Sequence, residues 1–137
     1  MGSAVIEYRG ERPPNQNESK RMHYAEYKRV RDRWQMLLRS KYGAHVEIPH
    51  PCTLRLTVFT SLAMDWENAT SVMKIPMDVI QDVIQPAANG KKIKRAAILG
   101  LGWLRNDNPT VVKRLDGVEQ VICPRKDVGF RLEFVPA

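Results

Sequence analysis

The stretch CTLRLTVFTSL, residues 52–62, decides how the rest of the chain is read. Leu54, Leu56, Val58 and Leu62 fall on alternate positions, the period of a β-strand buried on one face. Extending that period past the end of the stretch puts Arg55, Thr57, Phe59, Asp65 and Glu67 on the opposite face, with the two carboxylates pointing the same way. Acids at i and i+2 can share a cation; acids here also suit the N-terminus of a following helix. Downstream, in NATSVMKIPMDVIQDVI (68–84), Val72, Met73, Val79, Ile80, Val83 and Ile84 fit one helical face, and Pro76 either kinks this helix or marks its start. Pro86, Asn89 and Gly90 end it. KKIKRAAILGLGWL (91–104) is strongly basic and fits a short helix only ambiguously. Val111–Val112 and Val118–Ile122 are apolar runs of strand length, and GFRLEFV (129–135) alternates Phe130, Leu132 and Phe134 as a final half-buried strand.

Upstream, Ala4–Tyr8 reads as a short strand and Arg9–Asn17, with Pro13 and Pro14, as a polar loop. Ser19 is a plausible N-cap for a helix reaching about Arg39, with Tyr27, Val30, Trp34, Leu37 and Leu38 at spacings of three and four. Lys20, Arg21, Lys28, Arg29, Arg31 and Arg33 occupy its other faces, either as a solvated surface over a core stripe or as a polyanion-binding cluster. The order of elements predicts an α+β fold, with a small mixed sheet packed with helices, as one domain over residues 1–137.

The 137 residues carry 22 Lys+Arg against 15 Asp+Glu, a formal net charge of +7. With 43% hydrophobic and 27% charged residues, the chain has enough apolar material for one modest core and is not disordered. No apolar run approaches the roughly 20 residues of a membrane helix. The opening stretch MGSAVIEYRGERPP lacks the apolar centre of a secretory signal, which sets the expectation of an intracellular protein without a membrane partner. Cys52 and Cys123 lack metal-site spacing and suggest no disulfide framework, as suits a reducing compartment. The charge is uneven: residues 1–50 sum to +4, 51–90 to −2, 91–105 to +5 and 106–137 to zero. An acidic patch in a basic protein suits a metal-dependent phosphodiester enzyme, whose carboxylates hold a cation while lysines and arginines hold the backbone. An ordinary solvated surface has the same composition.

Four segments carry a family resemblance. RPPNQNESKRMHYAEYKRVRDRW (12–34) is similar to the opening of the RusA-type Holliday-junction resolvases, where a proline and asparagine loop leads into a basic helix. DWENATSVMKIPMD (65–78) resembles that family's Asp-x-Asp-Asn, followed by a Lys and by an Asp four residues beyond it; here these are Asp65, Glu67, Asn68, Lys74 and Asp78. GWLRNDNPTVV (102–112) resembles its late acidic pair, at Asn106 and Asp107, and GFRLEFV its closing strand. Glu67 and Asn106 each replace an Asp, and the chain carries an insertion of about 15–20 residues around 86–101.

The resemblance, to the phage-borne branch in particular, implies a homodimeric, Mg²⁺-dependent endonuclease, with Mn²⁺ an alternative metal, that resolves four-way DNA junctions by paired nicks in a bacterial or phage-infected cytoplasm. Two symmetry-related sites on a C₂ dimer match the approximate two-fold symmetry of such a junction. The implied metal ligands are Asp65, Glu67 and Asp107, and Lys74 is expected to neutralise the attacked phosphate or orient the water. Lys74 and Asp78, at i and i+4, also fit a plain helical ion pair. Asp107 in RNDNP also fits a turn. Lys20, Arg21, Lys28, Arg29, Lys91, Lys92, Lys94 and Arg95 are the expected DNA-binding residues. His23, His45 and His50 show no ligand spacing. Trp34 reads as core, whereas Trp66 and Trp103 sit beside the acidic positions and are candidates to line the site. A second function class is a DNA-binding protein of the same fold, weakened catalytically by Glu67 and Asn106. A third, an RNA or protein binder, is disfavoured by an aromatic content of 7% without a stacking motif.

Overall fold

The described residues form four strands, β1 (Ala4–Arg9), β2 (Cys52–Thr60), β3 (Val112–Ile122) and β4 (Gly129–Pro136), and apolar alternation marks β1, β2 and β4. They form one mixed sheet in the order β1-β4-β2-β3, with β3 parallel to β2 and the other pairs antiparallel. A computed structural model of the chain describes residues 2–81, 100–105 and 107–137. Between the strands, among the described residues, lie α1 (Gln16–Lys20), α2 (Tyr24–Tyr42), α3 (Trp66–Ser71), α4 (Lys74–Ile80) and a 3₁₀ turn at Arg125–Asp127. The fold is α+β, as the element order predicts.

Register explains the core. Ile6 lies opposite Leu132 on β4, and Leu54, Leu56 and Val58 of β2 lie opposite Phe134, Leu132 and Phe130. All seven are buried and belong to one hydrophobic cluster with Trp34 and Leu38 of α2 and Ile75, Met77, Val79 and Ile80 of α4. Trp34 joins helix to sheet by edge-on ring contacts at 5.2 Å to Tyr8 and 5.7 Å to Phe130. The opposite face of the sheet is polar: Arg55 reaches Asp116 at 3.2 Å and Glu133 at 3.5 Å, tying β2 to both neighbours. Leu54, Leu56 and Val58 are therefore inside as the alternation requires, whereas Leu62 is 76% exposed because β2 has already ended at Thr60.

Four other expectations are corrected. The basic helix does not begin at Ser19. Asn15 closes a capping box with Glu18 and starts α1 earlier, and Ser19 lies inside it, its hydroxyl donating back to the Asn15 carbonyl at 2.9 Å. The chain leaves the helical conformation at His23, and α2 then runs to Tyr42 rather than Arg39. The described part of the 68–84 pattern is divided between α3 and α4, Val83 and Ile84 lying outside the described residues, and Pro76 falls in the first turn of α4, where its missing N–H is tolerated. Val112 and the 118–122 run belong to one strand, β3, with Val111 in the turn just before it. Trp103 does not line the site: it is 2% exposed, and its indole N–H donates to the Ala44 carbonyl at 3.1 Å.

Among the described residues no helix is long and apolar enough to cross a membrane. The segment after the basic stretch docks on the end of α4: the Leu101 amide donates to the Val79 carbonyl at 2.8 Å, and the amides of Trp103 and Leu104 both donate to Ile80. A Cβ on Gly100 would stand 1.7 Å from the Gln81 carbonyl oxygen, so the approach requires glycine. Gly100→Ala is expected to destabilise the fold by about 2 kcal/mol, typical of a forced overpacking. A denaturant midpoint equal to that of the parent protein would show that residues 100–104 do not pack against Gln81.

Candidate functional site

The connection from β2 to α3 is held at its middle. Gln120, on β3, brackets Met64: its side-chain amide donates to the Met64 carbonyl at 2.8 Å and its oxygen accepts from the Met64 amide at 2.9 Å. Asp65 follows as the N-cap of α3, its carboxylate accepting from the Asn68 backbone N–H at 2.9 Å and from the Asn68 side-chain amide at 3.3 Å. Asp and Asn at a helix start satisfy backbone donors that have no partner inside the helix. The side-chain oxygen of Asn68, Oδ1, is buried without a hydrogen-bond partner. At the other end of α3, the Ser71 hydroxyl accepts from the Gln16 amide at 2.8 Å, fixing α1 against α3.

These connections place one open groove of about 1100 Å³ between α1, α3, α4 and the start of β3. Glu67, Asp78 and Asp107 line it together with Lys20, Lys74, Lys113 and Arg114, while Leu54, Met73, Met77 and Leu115 supply apolar walls. Lys74 pairs with Asp78 at 3.2 Å across one turn of α4. Burial works against the charge on Lys74, but Asp78, with help from Tyr27 and Asp107, outweighs it and holds the amine above the ordinary lysine value. It is therefore a cation throughout the neutral range. Burial, reinforced by the Asp78 carboxylate, pushes the Tyr27 phenol up as well, leaving it a neutral hydrogen-bond donor. Glu18 next to the groove is also penalised by burial, yet the Asn15 N–H and Arg12 hold it below the usual glutamate range, preserving the cap that presents Lys20.

The residues expected from the sequence are divided by this geometry. Glu67, Lys74, Asp78, Asp107, Lys20 and Trp66 share the groove. Asp65 does not line it. The extrapolation that put Asp65 and Glu67 on one strand face fails because β2 stops at Thr60; Asp65 caps α3 and Glu67 lies in its first turn. Arg21, Lys28 and Arg29 are exposed but lie outside the groove lining. Lys91, Lys92, Lys94, Arg95 and Asn106 lie outside the described residues. Tyr27, Lys113, Arg114 and Gln120 were not among the expected site residues. The Lys113-Arg114 pair at the start of a strand is the sole signal in the sequence; the role of Gln120 depends on a contact between residues 56 positions apart.

Among the described residues no three His, Cys, Asp or Glu side chains come together closely enough to hold a metal ion. Of the expected trio, Glu67 and Asp107 line the groove, whereas Asp65 caps α3 outside its lining. Mg²⁺, however, commonly keeps several waters and is bound through one or two carboxylates plus substrate phosphates. Glu67 and Asp107, two hard-oxygen donors lining the same groove, fit that looser arrangement. Comparison of the chain with protein-family models and with curated proteins finds no match to either.

Removing the Gln120 bracket tests how the site is held. Gln120→Met leaves the Met64 amide and carbonyl without their partner, and faster hydrogen exchange is expected at Met64 and Asn68, with a stability loss of about 1–2 kcal/mol. Unchanged protection at both amides would show that α3 is placed without it.

Proposed function

We propose that the chain is a Mg²⁺-dependent endonuclease that cuts branched DNA, four-way junctions in particular. One observation carries the reading: a single groove holds the acids Glu67, Asp78 and Asp107 against the cation Lys74, with Lys20, Lys113 and Arg114 alongside. Basic side chains there suit the phosphate backbone, which supplies sequence-independent affinity. The resemblance of DWENATSVMKIPMD and GWLRNDNPTVV to RusA-type resolvases supports the same reading, because Glu67, Lys74 and Asp107 come from those two segments.

In this reading Glu67 and Asp107 would hold the metal, which when bound supplies water activation and charge stabilisation in phosphodiester hydrolysis. Lys74 offsets the charge that develops on the attacked phosphate, and its pairing with Asp78 keeps the amine aimed along α4. Lys20, Lys113 and Arg114 fix the backbone by charge-assisted hydrogen bonds. Tyr27 offers its neutral phenol O–H as a hydrogen-bond donor and supplies no base. Two copies are needed for paired nicks, so the active species is a homodimer. The unpaired cysteines Cys52 and Cys123 favour a reducing bacterial or phage-infected cytoplasm.

The alternative, a junction-binding protein without cleavage, is favoured by one observation, the commitment of Asp65 to its helix cap. Incubation with a synthetic four-way junction and a matching linear duplex, with Mg²⁺ or EDTA, separates the two. Junction-selective nicking dependent on Mg²⁺ is expected; retention of the junction without cutting, in either condition, would establish the alternative. Asp107→Asn is expected to abolish cleavage with binding intact, and Lys74→Gln to slow it about 10²-fold, comparable to losing one preorganised donor to the transition state. Parent-like nicking in Asp107→Asn at saturating Mg²⁺ would remove Asp107 from the site. For assembly, light scattering is expected to give about twice the 15.7 kDa chain mass. A monomer that stays monomeric on junction DNA would defeat paired cutting.

A further inference from the structure

The chain has three tryptophans, and two of them are sealed in the core: Trp34 is 1% exposed and Trp103 is 2% exposed. Trp66 is 61% exposed, sits in the first turn of α3 immediately before Glu67, and lines the groove. An indole left in water forgoes a large apolar burial. Its backbone is nevertheless firmly held: Asp65 caps the helix, the Trp66 carbonyl accepts from the Thr70 hydroxyl at 2.7 Å, and the preceding Met64 is bracketed by Gln120. The ring is thus a flat apolar surface presented from a fixed position, beside acids that serve hydrolysis and cations that serve phosphate.

A nucleotide has the matching two-part chemistry, a charged phosphate and a flat base. Within a duplex the base faces are covered by their neighbours, so only an unpaired or extruded base can lie against an indole. We propose that Trp66 stacks on an unpaired base of the DNA, so that the groove selects a strand whose helix is interrupted next to the phosphate to be cut. This rests on the nuclease reading and sharpens it: the feature recognised is loss of stacking at the branch rather than the four-way geometry as such. The occupant is assigned as DNA because Lys20, Lys113 and Arg114 join Trp66 in the groove, and the chain carries a net charge of +7. An acidic protein segment would use the charge but leave the indole face without a partner of its shape.

Burial of Trp34 and Trp103 makes Trp66 the quenchable fluorophore, so binding is read in EDTA without any cleavage. A short oligothymidylate and a four-way junction are expected to quench the emission, and a blunt linear duplex of the same length to leave it unchanged. Trp66→Ala is expected to weaken oligothymidylate binding about tenfold, the usual effect of losing one stacked base, while leaving duplex affinity unaltered; Trp66→Phe should recover most of it. An unaltered thermal midpoint for Trp66→Ala confirms that the change is local. Equal quenching by duplex, equal loss for duplex and oligothymidylate, or no rescue by Phe overturns the stacking role. Stronger quenching by oligouridylate or by polyglutamate than by oligothymidylate overturns the assignment to DNA. Junction cutting with no preference for unpaired DNA would sink this inference alone, whereas selective quenching with no cutting in Mg²⁺ would sink the nuclease reading alone.

Discussion

The parallel pairing of β2 with β3 is the constraint on which the rest of the structure depends. Antiparallel neighbours can be joined by a tight turn, but parallel ones require the chain to cross from one end of the sheet back to the other. Here the crossing runs from residue 61 to residue 111, and it contains α3, α4 and the loop bearing Asp107. Every acid lining the groove is on this one connection, while the lysines and arginine beside them come from α1, α4 and the start of β3. Sheet topology therefore sets the acidic lining together with Lys74, and α1 and the start of β3 add Lys20, Lys113 and Arg114.

Opposite charges at this density are mutually dependent. The Lys74 amine faces Asp78, Tyr27 and Asp107, and it stays charged because the neighbouring carboxylates outweigh its partial burial. Removal of Asp78 or Asp107 weakens the field that holds the amine in place. An arrangement of this kind is stable without a cation from solution and has carboxylate oxygens available to one, which accounts for a groove with acids and bases in comparable number.

The sheet was largely legible because period-two alternation survives wherever one face is buried: Leu54, Leu56, Val58, Phe130, Leu132 and Phe134 are all inside. Helix boundaries were less so, since capping depends on local competition; Asn15, not Ser19, starts the first helix because Glu18 stands three residues after it. Extrapolating the strand period to Asp65 and Glu67 failed because periodicity does not say where a strand ends. Grouping Glu67, Lys74 and Asp107 came from the family resemblance, and the groove now brings these three together. Gln120 could not be found in this way, as no pattern in sequence links residue 120 to residue 64.

β3 forms an edge of the sheet, and most of its residues are exposed. An exposed row of backbone N–H and C=O groups is a template for a strand from another molecule, the usual beginning of amyloid-like aggregation. Lys113, Arg114, Asp116 and Glu119 stand along β3, and all four are exposed. A neighbouring strand docking there would have to strip water from four ionised side chains for the sake of main-chain bonds it could make elsewhere. The charges along β3 thus guard an open sheet edge that its backbone alone would leave ready to pair.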